Sequence, residues 1–269
     1  MKKRRMRNLF ILNMVCFLLL TVFCTAQQKQ YQDYKDIVIS ADYISTDHLG
    51  YLYIVDGNTL LKCDSLGNEL FSYSNLQYGN ISSIDVSNPL KILLFFRDFS
   101  SVIYLDNSLA PQSEMIHLQE ISNNLKNVCT SYDNALWIYD AMDSQLMRYD
   151  KKLRKTTSSG NLALLLNKQI EVFALQEVAN KVYISAADGI YVFDRYAAFL
   201  RYYPFENPSC LAVMNNSLFF LQNQNYIRYN MLSLEKEILD YSHFNPKCIS
   251  FGTSFIYLYG QKKLKIIKQ

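Results

Sequence analysis

The sequence predicts an all-β protein, a six-bladed β-propeller whose ring is closed by strands from both ends of the chain. Short apolar runs alternate with turn clusters of Asp, Asn and Gly along most of the chain. One of these runs recurs in six copies, about 40 residues apart. A strand-like segment precedes the first full repeat, and the final repeat contains only three strands.

The N-terminal segment has the layout of a secretory signal peptide. Basic residues crowd the first seven positions, and an almost wholly apolar run extends from Leu9 to Phe23. Small residues at Cys24 and Ala26 complete a cleavage site. The run of about 15 residues is shorter than the roughly 20 that a membrane span requires. We therefore expect residues 1–26 to be removed near Ala26, leaving residues 27–269 as one exported propeller domain in the periplasm or on the cell surface.

A lipid anchor is the alternative to cleavage after Ala26. Cys24 would then be the modified residue, but the bulky Phe23 stands where a small side chain is expected. The sequence therefore favours an exported mature chain with no transmembrane segment.

The charge of the mature chain argues against a nucleic-acid partner. Five of the 27 Lys and Arg residues, and none of the 24 Asp and Glu residues, lie in positions 1–26. Their removal changes the net charge from +3 to −2. The lysines between 262 and 268 alternate with apolar residues, as on the exposed face of a strand. Nucleic-acid recognition needs a basic patch, so no nucleic acid is expected to bind.

The third strand of each repeat is the clearest repeated unit. It reads TLLKC at 59–63 and is followed by the turn Asp64-Ser65-Leu66-Gly67. A period of about 40 residues with several strands per copy is typical of β-propellers, and six copies predict six blades. The other five copies are Ile103–Asp106, Leu146–Asp150, Tyr191–Asp194, Tyr226–Asn230 and Leu264–Lys268.

The segment before the first repeat supplies the strand that the last repeat lacks. Residues 34–41 read YKDIVISA, which is strand-like. Unpaired edges on the terminal blades would invite aggregation. We therefore expect residues 31–41 to pair with residues 262–269.

The acidic turns are predicted to be structural corners and not calcium loops. Asp56-Gly57-Asn58 does not follow the D-x-[DN]-x-[DN]-G order of a calcium loop. Asp, Asn and Gly are also the residues that tight turns between antiparallel strands require.

Residues 47–67 (DHLGYLYIVDGNTLLKCDSLG) resemble the repeat of NHL-type six-bladed propellers, and LWIYD at 136–140 is similar to the corresponding strand of YWTD propellers. The whole mature chain also resembles small exported propeller proteins of Bacteroidota. The resemblance implies a fold and a compartment. It implies no activity.

The sequence contains no motif of a familiar enzyme. H-E-x-x-H, G-x-S-x-G, C-x-x-C and a phosphate-binding glycine loop are all absent, and histidine occurs only at positions 48, 117 and 243. Trp137, the single tryptophan, is predicted to pack in the core. We therefore expect no cofactor and no catalytic residue, and we expect a protein–protein interaction module that binds an envelope protein.

Two other functions stay open at this point. The first is a metal-dependent hydrolase of the sugar-lactonase propeller type, with an ion on the channel axis that activates water. The second is recognition of a glycan or peptide at the channel mouth. The carboxylates available for a metal site are Asp42, Asp47, Asp85, Asp133, Glu171 and Glu177.

Two long connections between blades are the candidate binding loops. Residues 119–127 (QEISNNLKN) are expected to form a short helix. Residues 156–171 carry an apolar run in a connection that should lie at the surface. Its leucines either cap the space between the third and fourth blades or form a docking patch for a partner. These leucines are Leu162, Leu164, Leu165 and Leu166.

Four cysteines belong to the mature chain, and all are expected to be free thiols. Cys210 and Cys248 occupy the same corner of successive repeats, in Asn-Pro-Ser-Cys and Asn-Pro-Lys-Cys. Equivalent positions on neighbouring first strands are expected to lie too far apart for a disulfide.

Overall fold

The computed structural model describes residues 32–122, 124–239, 241 and 244–268. Asp33–Lys268 form one compact unit. In this part of the chain, 24 strands form six antiparallel sheets of four strands each, which are the six predicted blades. The predicted signal peptide lies outside the described residues. No helix of the described ranges has the length and apolar character needed to cross a bilayer.

The first three blades follow one another along the chain. The first blade contains β2 (Tyr43–Thr46), β3 (Leu52–Asp56), β4 (Thr59–Cys63) and β5 (Glu69–Ser74). The second contains β6 (Ser83–Asp85), β7 (Ile92–Phe96), a 3-10 helix (Arg97–Phe99), β8 (Ser101–Leu105) and β9 (Ile116–His117). The third contains β10 (Leu125–Thr130), β11 (Leu136–Asp140), β12 (Gln145–Tyr149) and β13 (Lys155–Ser158).

A short helix, α1 (Leu162–Leu166), connects the third blade to the fourth. The fourth blade contains β14 (Val172–Val178), β15 (Lys181–Ala186), β16 (Gly189–Asp194) and β17 (Phe199–Tyr203). The fifth contains β18 (Ser209–Met214), β19 (Ser217–Gln222), β20 (Asn225–Asn230) and β21 (Lys236–Leu239). The sixth combines β22 (Cys248–Phe251), β23 (Phe255–Gly260) and β24 (Lys263–Lys268) with β1 (Gln32–Val38).

The middle strands of the blades are buried on both faces. Every residue of β7, β8 and β11 is buried. A blade has neighbours on both sides, so both faces of its second and third strands pack against apolar side chains. This packing explains why these strands appear in the sequence as continuous apolar runs, without the alternation of a one-sided sheet.

The two ends of the described chain meet in the sixth blade, as predicted. β1 lies beside β24 in the sheet order β1-β24-β23-β22. The Ile39 amide donates a hydrogen bond to the Lys262 carbonyl at 3.1 Å. Lys265 Nζ lies 2.6 Å from Asp33 Oδ2, and the rings of Tyr34 and Phe255 are 5.4 Å apart.

The acidic turns are corners, as predicted. In four blades an Asp follows the third strand, and its Oδ1 accepts hydrogen bonds from the amides two and four residues later. Asn230 has the same role in the fifth blade, with the amides of Leu232 and Ser233. Hydrogen bonds from Arg154 hold the pKa of Asp150 down at about 2. The four Asp residues are Asp64, Asp106, Asp150 and Asp194.

Two expectations about the long connections are wrong. The described residues of 119–127 form a turn and not a helix, with the Ile121 amide bonded to the Leu118 carbonyl at 2.9 Å, and 125–127 already belong to β10. The second connection is shorter than expected because 156–158 belong to the outer strand β13.

The connections divide between the two ends of the ring. In an antiparallel four-stranded blade, the turn between the second and third strands lies at the same end as the connection to the next blade. We call this end the junction face, and the end with the other two turns the hairpin face. α1 and the loop between β11 and β12 therefore both belong to the junction face.

Candidate functional site

The first strands of the six blades surround a central channel. Its cavity has a volume of about 520 Å³ and is lined by residues of β2, β6, β10, β14, β18 and β22. Polar side chains such as Ser45, Ser83 and Gln176 lie among its lining residues. The channel is therefore a concave site with polar groups, which is the usual setting for a small ligand.

Two channel residues keep polar atoms without a partner among the described residues. Asn127 donates through Nδ2 to the Phe173 carbonyl at 2.9 Å, but its buried Oδ1 accepts no hydrogen bond. The buried Oγ of Ser83 has no partner either. These atoms are buried in the channel wall, so they carry the cost of an unpaired polar group but offer no exposed surface to a ligand.

The two carboxylates that line the channel are already used to join blades. Asp85 Oδ2 accepts a hydrogen bond from the Thr130 amide of the third blade at 2.7 Å. Glu177 Oε2 of the fourth blade accepts from Ser131 Oγ at 2.6 Å and from Trp137 Nε1. Trp137 is completely buried, as predicted.

Three of the other four carboxylates of the metal hypothesis serve elsewhere. Asp47 accepts hydrogen bonds from two amides of its own turn and from the Tyr53 hydroxyl. Asp42 accepts from the Gly57 amide at 2.8 Å, and Asp133 forms an ion pair with Arg148. Within the described ranges, no three His, Cys, Asp or Glu side chains form a group that could hold a metal ion.

The described histidines do not belong to the channel lining. His48 lies exposed in the turn after β2. His117 is on β9, where its Nδ1 lies 2.9 Å from Ser101 Oγ. His243 lies outside the described residues.

The four candidate leucines divide between core and surface. Leu162 is fully buried in a cluster between the third and fourth blades, and Leu166 packs against that cluster. Leu164 and Leu165 are 82% and 55% exposed. The expectation that the run caps the space between blades therefore fits Leu162 and Leu166. The expectation of a docking patch fits Leu164 and Leu165.

α1 is held firmly on the junction face. Asn161 caps it by accepting a hydrogen bond from the Leu164 amide at 2.9 Å. Asn161 Nδ2 also donates to the Asp143 carbonyl, and the Leu162 amide donates to the Ser144 carbonyl at 2.7 Å. Both acceptors belong to the loop between β11 and β12, where Met142 is 72% exposed. We call Met142, Leu164 and Leu165 together the leucine edge.

A charged cluster follows the leucine edge. Lys168 Nζ lies 2.5 Å from Asp188 Oδ2 and 4.7 Å from the centre of the Tyr202 ring. The hydrogen bond with Asp188 raises the pKa of Lys168. Asp188 also accepts from the Tyr191 hydroxyl at 2.7 Å. Sequence reasoning missed this cluster because its members come from separate loops and strands and share no motif.

All four described cysteines are free thiols, as expected. The Cys210 thiol lies 3.4 Å from the carbonyl oxygen of Lys247, the residue before Cys248, and Cys210 packs against the buried cluster that contains Cys248. The strand β18 has an irregular register between Ser209 and Ala212, and Cys210 has a φ of +51°. A bulge of this kind redirects a side chain, which explains how Cys210 reaches the neighbouring blade.

The comparisons with known proteins identify likeness of fold. No family model matches the chain, and no curated protein matches it. A catalytically inactive virginiamycin B lyase from Staphylococcus aureus, solved with quinupristin, superposes with a TM-score of 0.61 at 10% identity, covering 89% of this chain and 98% of that one.

Two other solved structures are similar. The Pan2 WD40 domain from Neurospora crassa gives a TM-score of 0.57 at 8% identity, covering 87% of this chain and 80% of that one. A protein of unknown function from Bacteroides caccae gives 0.51 at 8% identity, covering 71% and 78%. Such low identities bear on the fold alone. The chain is therefore a β-propeller with six blades, and the proteins that resemble it in fold include both an enzyme and a WD40 domain.

Proposed function

We propose that the protein is an exported, non-catalytic β-propeller that binds another protein of the cell envelope through its leucine edge. The observation that carries the proposal is the exposure of Leu164 and Leu165 on a helix whose neighbour Leu162 is buried. Exposed apolar patches are typical of partner-binding surfaces.

The attachment of α1 supports this role. The helix is fixed by the Asn161 cap and by hydrogen bonds to the β11–β12 loop, so its exposed leucines have a defined position. A partner that binds a preorganised surface loses less conformational entropy on the protein's side. The signal-peptide layout of residues 1–26 supports export to the periplasm or the cell surface.

The test compares charged substitutions at three leucines. Leu165→Asp is expected to leave the unfolding transition unchanged and to abolish cross-linking to the partner in native envelopes. Leu162→Asp is expected to unfold the protein because it places a charge in the core. Leu90→Asp, at a 64% exposed position on the hairpin face, is the matched control and should retain the cross-link. A cross-link that survives Leu165→Asp would contradict the proposal.

A second candidate function is ligand binding in the channel, favoured by its volume of about 520 Å³ and by polar lining residues such as Ser45 and Gln176. The ligand would be a glycan or a short peptide, whose hydroxyl and amide groups pair with polar side chains. A thermal-shift screen with oligosaccharides and peptides tests this function, since Gln176→Leu removes a polar group of the lining and should reduce any shift. Metal analysis tests the hydrolase alternative: a stoichiometric ion, together with lactone hydrolysis, would replace the interaction proposal.

A further inference from the structure

Cys210 and Cys248 occupy corresponding places on neighbouring first strands. Cys210 lies near the start of β18 and Cys248 begins β22, and both line the central channel. Each follows an Asn-Pro dipeptide by the same spacing, in residues 207–210 and 245–248. The two residues therefore join the fifth blade to the sixth at the channel wall.

The surroundings place the Cys210 thiol beside the peptide bond that precedes Cys248. Cys210 Sγ lies 3.4 Å from the Lys247 carbonyl oxygen, next to Cys248 in the chain. Cys248 Sγ lies 3.7 Å from the Ile44 carbonyl oxygen of the first blade. The bulge at Cys210 is what turns its thiol towards the sixth blade. Cys210 is half-buried, whereas Cys248 is buried.

The interaction between the two thiols makes them unequal: it raises the pKa of Cys210 and lowers the pKa of Cys248. The thiolate is the reactive form of cysteine. An external disulfide reaches only the half-buried Cys210, and the more acidic Cys248 is placed to resolve the mixed disulfide that forms.

We propose that Cys210 and Cys248 are a redox-active thiol pair that forms an interblade disulfide by exchange with an external disulfide. The reaction has two steps. The half-buried Cys210 thiol loses its proton to water, and its sulfur attacks one sulfur of the external disulfide while the first external thiolate leaves. Cys248 then loses its proton and attacks Cys210 Sγ, which expels the second external thiolate.

The two steps balance. The protein loses two protons and two electrons as one S–S bond forms, and the external disulfide is reduced to two thiols. No other oxidant is needed. Reversal requires only an external thiol in excess, so the link is a reversible modification of the junction between the fifth and sixth blades.

The other two described cysteines provide an internal comparison. Cys63 and Cys129 are buried, and burial raises the pKa of both thiols, that of Cys63 to about 11. Because an external disulfide cannot reach a buried sulfur, both should stay reduced under conditions that oxidise the pair.

The experiment incubates the folded protein with oxidised glutathione, alkylates the remaining thiols and maps the peptides by non-reducing mass spectrometry. The expected result is one linked peptide joining Cys210 to Cys248, with Cys63 and Cys129 unmodified. Reduced glutathione in excess should break the link between Cys210 and Cys248. The absence of this link, or equal oxidation of all four thiols, would overturn the proposal.

Two variants test the order of the steps. Cys248→Ser should retain glutathione on Cys210, because the second attack has no nucleophile. Cys210→Ser should leave Cys248 unmodified, because the buried thiol cannot reach glutathione. Glutathione on Cys248 of the Cys210→Ser variant would overturn the proposed roles. If a variant folds poorly, the presence or absence of the linked peptide in the unsubstituted protein still tests the proposal.

Discussion

Several corner residues adopt a left-handed backbone without being glycine. In the turn between third and fourth strands, one residue of each of five blades has a φ between +56° and +78°. Only the first blade has glycine there. For the other residues this conformation costs about 1–2 kcal/mol. These residues are Gly67, Leu109, Leu153, Ala197 and Leu234.

Leu234→Gly is expected to stabilise the protein by about 0.5–1 kcal/mol, because it relieves the left-handed strain and loses little packing. Leu234 is 58% exposed and has a φ of +62°. Chemical denaturation measures the change. Leu232→Gly, in the same turn but without a positive φ and 75% exposed, is the control and should not stabilise. An equal gain from both substitutions would contradict the strain argument.

Trp137→Ala is expected to cost about 3–5 kcal/mol of unfolding free energy, because the indole is fully buried between blades. Trp137→Phe separates packing from hydrogen bonding. It keeps most of the apolar contact and removes the donor to Glu177, which retains the Ser131 hydroxyl. Urea unfolding should place it between the wild type and the alanine variant; a phenylalanine variant as unstable as alanine would argue against the packing account.

At the scale of the strand and the turn, one side chain in each of five blades accepts the hydrogen bonds that shape the turn after the third strand. In the fourth blade, Asp194 Oδ1 accepts hydrogen bonds from the Tyr196 and Ala198 amides at 2.8 and 2.9 Å. The fifth blade places Asn230 at the corresponding position. The turn therefore needs a short side chain with a correctly placed oxygen, and the charge is secondary.

Asp194→Ala is expected to destabilise the protein by about 1–2 kcal/mol, since two amides lose their acceptor. Asp194→Asn should cost much less, because Asn230 shows that an amide oxygen serves the same turn. Thermal unfolding of the two variants side by side gives the comparison. An asparagine variant as unstable as the alanine variant would show that the charge, and not the geometry, matters.

The sequence predicts the middle strands well and the outer strands poorly. The middle strands are buried on both faces, so their apolar runs stand out in the chain. The outer strand β13 (KTTS) is largely exposed and has no apolar pattern, so the sequence predicts part of a loop there. The expected helix at 119–127 is wrong for a related reason: Leu118 and Leu125 are buried as anchors of a turn and of β10, and not on one helix face.

The candidate sites show a similar division. The run containing Leu162 and Leu165 could be found because apolar residues in a surface connection are unusual. The contact of the Cys210 thiol with the Lys247 carbonyl could not be predicted, because it depends on a bulge and a positive φ at Cys210 that no residue type signals.

At the scale of the whole molecule, apolar contacts between blades hold the ring together. Clusters of buried side chains join the first blade to the second and sixth, the third to the second and fourth, and the fourth to the fifth. Between the fifth and sixth blades, Phe251 packs against Phe219 and Tyr226 at 5.1 Å each. The thiol pair lies at this same junction, so its oxidation would link two blades that are otherwise joined mainly by aromatic contacts.

Removal of residues 27–41 is expected to give an insoluble or protease-labile protein, because it exposes the edge of β24. Limited proteolysis and the soluble fraction measure the effect. Lys265→Ala is the control. It removes the ion pairs with Asp33 and Asp36, whose carboxylates are largely exposed, and a 5.8 Å contact with the Phe244 ring, and these together contribute little. A truncated chain that stays soluble and resistant would show that β1 is dispensable.

The neighbours β1 and β24 are far apart in the order of synthesis. Asp33 and Lys265, which form an ion pair across them, are separated by 232 positions. At a translation rate of about 5–20 residues per second, β1 leaves the ribosome roughly 10–50 s before its partner exists. During that interval the nascent chain carries a strand with nothing to pair with, so this protein's need for chaperone protection should be greatest before its last blade emerges.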